Sequence, residues 1–154
     1  MKPAVGDVAP EFSAPVVEGD SEKTVTLSEL CGQKVVLVFY PKDSTPGCTI
    51  QACALRDGWE EIRGKAKIFG VSADTVASHR KFIKKRELPY PLIADEERKI
   101  VEAYGVWVPK SFMGKKFMGI ERSTFVIDET GKISAVLEKV SPSKHLELLA
   151  EALA

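Results

Sequence analysis

A chain of 154 residues, 44% hydrophobic and 29% charged, has room for one well-buried core and reads as a single globular domain over 1–154. Its 22 Lys plus Arg balance 22 Asp plus Glu, so net charge supports neither nucleic acid nor an anionic membrane as partner. No segment approaches the ~18 apolar residues that cross a bilayer, no apolar leader follows Lys2, and three cysteines are too few and odd-numbered for a secreted disulfide framework, so the expected location is the cytoplasm.

Residues 1–30 read as an N-terminal extension, with a hairpin expected across Ala14–Val17 and Thr24–Leu27. The run Lys34-Val-Val-Leu-Val-Phe-Tyr40 is nearly continuously apolar and β-branched, the pattern of a strand covered on both faces, and Pro41 ends it. Residues 41–47 carry Pro41, Asp43, Ser44, Pro46 and Gly47 and read as a loop. A helix is expected from about Gly47 to Arg63, stopped by Gly64. Residues 66–72 form the next strand. Asp74 or Thr75 caps a helix through about Glu87, ahead of Pro89. A short strand over Leu92–Ala94 precedes a helix over Glu96–Tyr104, stopped by Gly105.

Residues 106–121, rich in Gly and Lys, read as an irregular surface loop. Ser123–Asp128 and Lys132–Val140 bracket Glu129-Thr130-Gly131 as a hairpin, and Ser141-Pro142 opens a last helix. A βαβ half joined to a ββα half predicts an α/β thioredoxin-like fold: a central mixed sheet flanked by helices.

Cys48 falls where a buried strand gives way to a helix. Unpaired amides and the helix dipole favour an anion there, so a thiol at this point is biased toward the nucleophilic thiolate. The plainer alternative is a small buried hydrophobe. Cys53 lies five residues on. In an intact helix the two Cα atoms stand roughly 8.5–9 Å apart, beyond the ~7 Å a disulfide tolerates. Either the pair is inert, or oxidation unwinds the first turns.

The spacing is C-x4-C, not the C-x-x-C of thiol oxidoreductases. Zinc needs about four ligands, and Cys31, His79 and His145 are scattered. Both histidines lie in charged helices and are expected to be solvated. Cys31 precedes the strand that Cys48 follows, so ~20 Å separates them, and it reads as structural or incidental. Lys110, Lys115 and Lys116 read as a solvated loop, and Trp107, Phe112 and Phe117 as packing of that loop.

The segment Pro41-Lys42-Asp43-Ser44-Thr45-Pro46-Gly47-Cys48 matches a proline, three residues, a threonine, two residues and a cysteine. With Val5-Gly6-Asp7-Val8-Ala9-Pro10-Glu11-Phe12, Cys48 to Cys53, Tyr104-Gly105-Val106-Trp107 and Gly119 through Asp128, the chain resembles the peroxiredoxins over nearly its whole length. The likeness is to the Q-type branch, also called bacterioferritin comigratory protein.

That resemblance implies a thiol peroxidase acting on hydrogen peroxide and organic hydroperoxides, without cofactor or metal. Cys48 would be the peroxidatic cysteine. Thr45 would offer its hydroxyl, Pro41 would shield the site and Arg122 would hold thiolate and peroxide. Cys53 would resolve the oxidised sulfur as an intramolecular disulfide, and thioredoxin or a similar dithiol reductase would recycle it. The resemblance favours a monomer. The competing readings are a thiol–disulfide exchange protein and a redox-switched interaction module on the same fold.

Overall fold

A computed structural model describes residues 2–62, 64–139 and 141–153. In chain order the strands and helices are β1 (Ser13–Glu18), β2 (Ser21–Thr26), β3 (Val35–Phe39), α1 (Pro46–Asp57), α2 (Trp59–Ile62), β4 (Lys67–Ser72), α3 (Val76–Arg86), β5 (Leu92–Ala94), α4 (Lys99–Ala103), β6 (Trp107–Phe112), β7 (Lys115–Ile120), β8 (Ser123–Ile127), β9 (Ile133–Leu137) and α5 (His145–Leu153). Seven strands form one mixed sheet in the order β2-β1-β5-β4-β3-β8-β9. β3, β4 and β5 run parallel, while β8 lies antiparallel to β3. This is the expected thioredoxin-like arrangement, and the N-terminal hairpin joins it at one edge through β1 and β5. Among the described residues no helix is long and apolar enough to cross a membrane.

The central strands are buried throughout, and their period of two divides the core between two faces. Val35, Leu37 and Phe39 point to a layer with Phe69, Tyr104 and Phe125. Val36, Val38 and Tyr40 point to the opposite layer, with Cys48, Ala52, Leu55, Phe82 and Leu149 from α1, α3 and α5. Cys48 therefore stands on the face covered by α1, α3 and α5, just past the carboxyl end of β3 and beside the parallel strands, where open α/β sheets place their sites.

Four expectations are corrected. The helix expected over 47–63 breaks into α1 and α2 at Gly58, whose backbone leaves helical geometry at φ −96°, ψ 12°; the missing side chain lets Leu146 from α5 pack there, since a Cβ on Gly58 would lie 2.3 Å from Leu146 Cδ2. Arg63 lies outside the described residues. The helix expected from Glu96 starts at Lys99, because Asp95 Oδ2 takes the Ile100 and Val101 amides, each at 2.9 Å, and Arg98 adopts a left-handed φ of 61° ahead of them. The final helix starts at His145, after a turn in which the Lys144 amide bonds to the Ser141 carbonyl.

The fourth correction is the largest. Residues 106–121 are not an irregular loop but a hairpin, with β6 and β7 paired from Trp107↔Ile120 to Phe112↔Lys115. Met113 (φ 50°) and Gly114 (φ 81°) supply the two positive φ angles of a tight two-residue turn. The side chain of Phe112 lies outside the described residues, as does Val140.

Candidate active site

β3 ends at Phe39, and the chain crosses residues 40–44 before Thr45 adopts the extended conformation of an N-cap. Pro46 then occupies the first helical turn, where its missing N–H costs nothing. Thr45 does not cap with its side chain. Its Oγ1 donates to the Lys42 carbonyl at 2.9 Å, and its own carbonyl accepts the Thr49 amide at 2.8 Å. The amides of the first turn, at Gly47 and Cys48, thus open the helix, and the positive end of its dipole lies at the Cys48 sulfur.

Cys48 is only 2% exposed, and its sulfur has a cationic neighbour. Arg122, in the short link between β7 and β8, donates Nη1–H to Cys48 Sγ at 3.5 Å and to Gln51 Oε1 at 2.6 Å. Gly47 permits this approach, since a Cβ there would lie 3.1 Å from Arg122 Nη2. Gln51, buried and three residues after Cys48, is a site residue that sequence reading missed. Its position one turn along the Cys48 face was the available signal. Its Nε2 is buried without a protein partner.

Pro41, Lys42, Trp107, Lys110, Phe117 and Met118 line a groove of about 330 Å³ that runs from the 41–45 loop onto the β6–β7 hairpin. Lys110 is therefore not simply solvated. Its stem folds over Gly119, and burial followed by the Arg122 charge lowers its ammonium pKa. Trp107 is packed by Arg98, whose guanidinium carbon sits 4.9 Å from the ring centroid. Lys115 and Lys116 are exposed, as expected.

Beside Arg122, Glu121 bonds to Lys2 and to Ser123. Burial pushes its carboxyl up, but these hydrogen bonds together win, so it stays ionised. This carboxylate, fully engaged elsewhere, leaves the Arg122 guanidinium to Gln51 and Cys48.

The structure separates the other candidates. Cys53 is half-buried in the same unbroken helix as Cys48, and all three cysteines are free thiols. Cys31 is exposed, beyond the far end of β3. His79 and His145 are both fully buried, which corrects the solvated reading. His79 pairs with Asp43, and His145 Nε2 meets Thr124 Oγ1 at 2.7 Å. Among the described residues the grouping with metal-ligand chemistry is Asp43, Asp74 and His79, with donor atoms within 4.8 Å of one another. Protons from Tyr40, Ser72, Ser78 and the Asp43 amide already fill that space.

A thioredoxin-like sheet that holds a cysteine in a helix's first turn, against a guanidinium, is the arrangement of the thiol-based peroxidases. The comparisons with known proteins agree. The AhpC/TSA family model matches residues 5–136. A putative peroxiredoxin bcp of Coxiella burnetii is 46% identical over 147 residues, spanning 95% of each chain. The peroxiredoxin Bcp of Escherichia coli K12 is 41% identical over 94% of this chain and 91% of its own. Among solved structures, peroxiredoxin Q of Xanthomonas campestris superposes with a TM-score of 0.84 at 34% identity, over 92% of this chain and 89% of that one. The chain belongs to the AhpC/TSA family and is a peroxiredoxin of the Bcp/Q type, a thiol peroxidase.

Proposed function

We propose that Cys48 is the peroxidatic residue and Cys53 the resolving one, in a monomeric, cytosolic, one-domain enzyme recycled by thioredoxin or a similar dithiol. The observation that carries this reading is the 3.5 Å contact between Arg122 Nη1 and Cys48 Sγ in the first turn of α1. A guanidinium and a helix N-terminus together favour sulfur as the thiolate and meet the negative charge that develops on the peroxide.

In the first step the Cys48 thiolate attacks the terminal oxygen of ROOH. The S–O bond forms as the O–O bond breaks, sulfur is oxidised to the sulfenic acid, and RO⁻ leaves to take a proton from solvent. The Arg122 N–H groups and the first-turn amides stabilise that departing oxygen. Thr45 spends its own proton on Lys42 O, so its oxygen is free to accept the peroxide O–H and fix its orientation. Pro41, at the mouth of the groove, excludes water. The apolar wall of Trp107, Phe117 and Met118 suits the organic part of a hydroperoxide.

In the second step the Cys53 sulfur attacks Cys48 Sγ, a disulfide forms and hydroxide leaves as water. Both cysteines lie in α1, roughly 8.5–9 Å apart by helical geometry, so the helix must unwind locally. A dithiol then exchanges with the disulfide and restores both thiols.

One equivalent of hydrogen peroxide added to the reduced protein tests this. The expected product has lost two hydrogens, with a peptide linking Cys48 to Cys53. Cys48→Ser should abolish peroxide consumption, and Cys53→Ser should complete one turnover and then stall. Normal peroxide consumption by Cys48→Ser overturns the assignment.

A further inference from the structure

Behind the active-site loop lies a buried polar cluster that the chemistry above does not use. Asp43 sits between Pro41 and Thr45, yet is only 6% exposed. Its carboxylate gathers three partners: Tyr40 Oη on Oδ1 at 2.6 Å, Ser78 Oγ on Oδ2 at 2.8 Å and His79 Nδ1 on Oδ2 at 2.7 Å. On its other side His79 Nε2 faces the Ile93 carbonyl at 2.9 Å. A carbonyl only accepts, so Nε2 carries a proton, and a second proton lies between Nδ1 and the carboxylate. The Asp43 amide in turn donates to Asp74 Oδ2 at 2.8 Å, and Ser72 Oγ holds that same oxygen at 2.6 Å.

One loop residue is thus tied to the end of β3, to β4, to β5 and to the first turns of α3. The next residue, Ser44, has a φ of 63°, a left-handed conformation that a non-glycine residue adopts at a cost. Thr45 and the first turn of α1 follow at once. Burial and the facing Asp43 carboxylate hold the Tyr40 phenol well above its ordinary pKa, which keeps it a donor. The anchor is hydrogen-bonded on every side, and the segment it restrains leads directly into the turn that has to come apart for Cys48 to reach Cys53.

We propose that the Asp43–His79 pair is a latch on the 41–45 loop that keeps the first turn of α1 wound, and so sets how readily the oxidised enzyme unwinds to form its disulfide. This rests on the reading of Cys53 as resolving residue. Asp43 and His79 are positioning residues: neither touches the peroxide.

The latch has a specific kinetic consequence. Oxidation by peroxide needs the wound form, and disulfide closure needs the unwound one. While the wound form stays in the majority, a weaker latch barely changes the first oxidation, but it speeds closure in proportion to the unwound population. The sulfenic acid then has less time to meet a second peroxide, which would convert Cys–SOH and ROOH to Cys–SO2H and ROH.

Quenched-flow alkylation followed by mass spectrometry of the whole chain separates the two steps. For Asp43→Ala, disulfide closure should accelerate on the order of tenfold, the effect of losing a hydrogen bond to a charged group, with the first oxidation within about twofold of wild type. The peroxide dose that half-converts Cys48 to the sulfinic acid should rise by the same factor. Ser78→Ala removes one bond from the part-exposed edge of the cluster. It should move closure in the same direction by about threefold, and it decides the matter if Asp43→Ala does not fold. Asp43→Asn should return closure toward wild type, since its amide can donate to a neutral His79 Nδ1 while its carbonyl still accepts from Tyr40.

Cooperatively folded variants whose closure is unchanged or slower overturn the latch. Failure of the wild type itself to form a Cys48–Cys53 link overturns the resolving role, and the latch with it. The two failures are therefore distinct.

Discussion

Replacing Arg122 by glutamine tests the electrostatics of the site most directly. At the 3.5 Å separating Nη1 from Cys48 Sγ, two unit charges attract by about 5 kcal/mol at an effective dielectric of about 20 and by about 1 kcal/mol in water. The Arg122 side chain is half-buried, so its worth falls between these limits, at about 2–4 kcal/mol. Part of that is spent on the resting thiolate and only the remainder on the transition state, which leaves a rate loss on the order of 10²-fold. Arg122→Lys keeps a charge but cannot present Nη1 to Gln51 and sulfur together while Nη2 lies against Gly47; about tenfold should be lost. The assay is the second-order rate with hydrogen peroxide by rapid quench, paired with iodoacetamide alkylation of Cys48 at pH 7. Alkylation should also slow, because Sγ loses the cation beside it. A folded Arg122→Gln protein that oxidises within about threefold of wild type and alkylates normally would refute the assignment of the guanidinium to this charge.

Two further predictions concern stability. Burial, and then the Arg122 charge, hold the His145 imidazole down to about 4 from 6.5. The unfolded chain takes up a proton near pH 6.5 while the folded one stays neutral, so this group removes stability as pH falls from about 6.5 to about 4, by up to about 3 kcal/mol. Urea melts across that range should show a smaller acid loss in His145→Gln than in wild type; equal slopes would contradict it. Gly70 sits in β4, where an added Cβ would lie 2.5 Å from Leu92 Cδ2 and 3.2 Å from the Tyr40 ring. Gly70→Ala should therefore cost about 1–3 kcal/mol in denaturant titration, and a neutral result would mean that Leu92 moves freely in the core.

The elements that local pattern alone could specify were legible. The apolar run at 35–39, the capped helix after Thr75, the hairpin around Gly131 and the peroxiredoxin motif at 41–48 each carry their signal within a few residues. The hairpin at 107–120 was not legible, because its strands are largely exposed and lysine-rich, and its turn is Met-Gly rather than a familiar turn pair. Cys48, Pro41 and Thr45 could be named as candidates from the motif, and Arg122 from the resemblance that covers Gly119–Asp128, but Gln51 could not, since its contact is with a guanidinium 71 positions away.

The amino-acid sequence by itself determined the order of strands and helices outside 107–120, the fold class and the place of Cys48 at a strand-to-helix junction, because hydrophobic period, proline and glycine act over short range. Only the tertiary structure decided where α1 stops and how the histidines are used. Leu146 reaching Gly58 and the pairing of Asp43 with His79 and of Thr124 with His145 join residues far apart in the chain. A polar side chain is tolerated in a core only when such a partner meets it there, and no local pattern records whether one will.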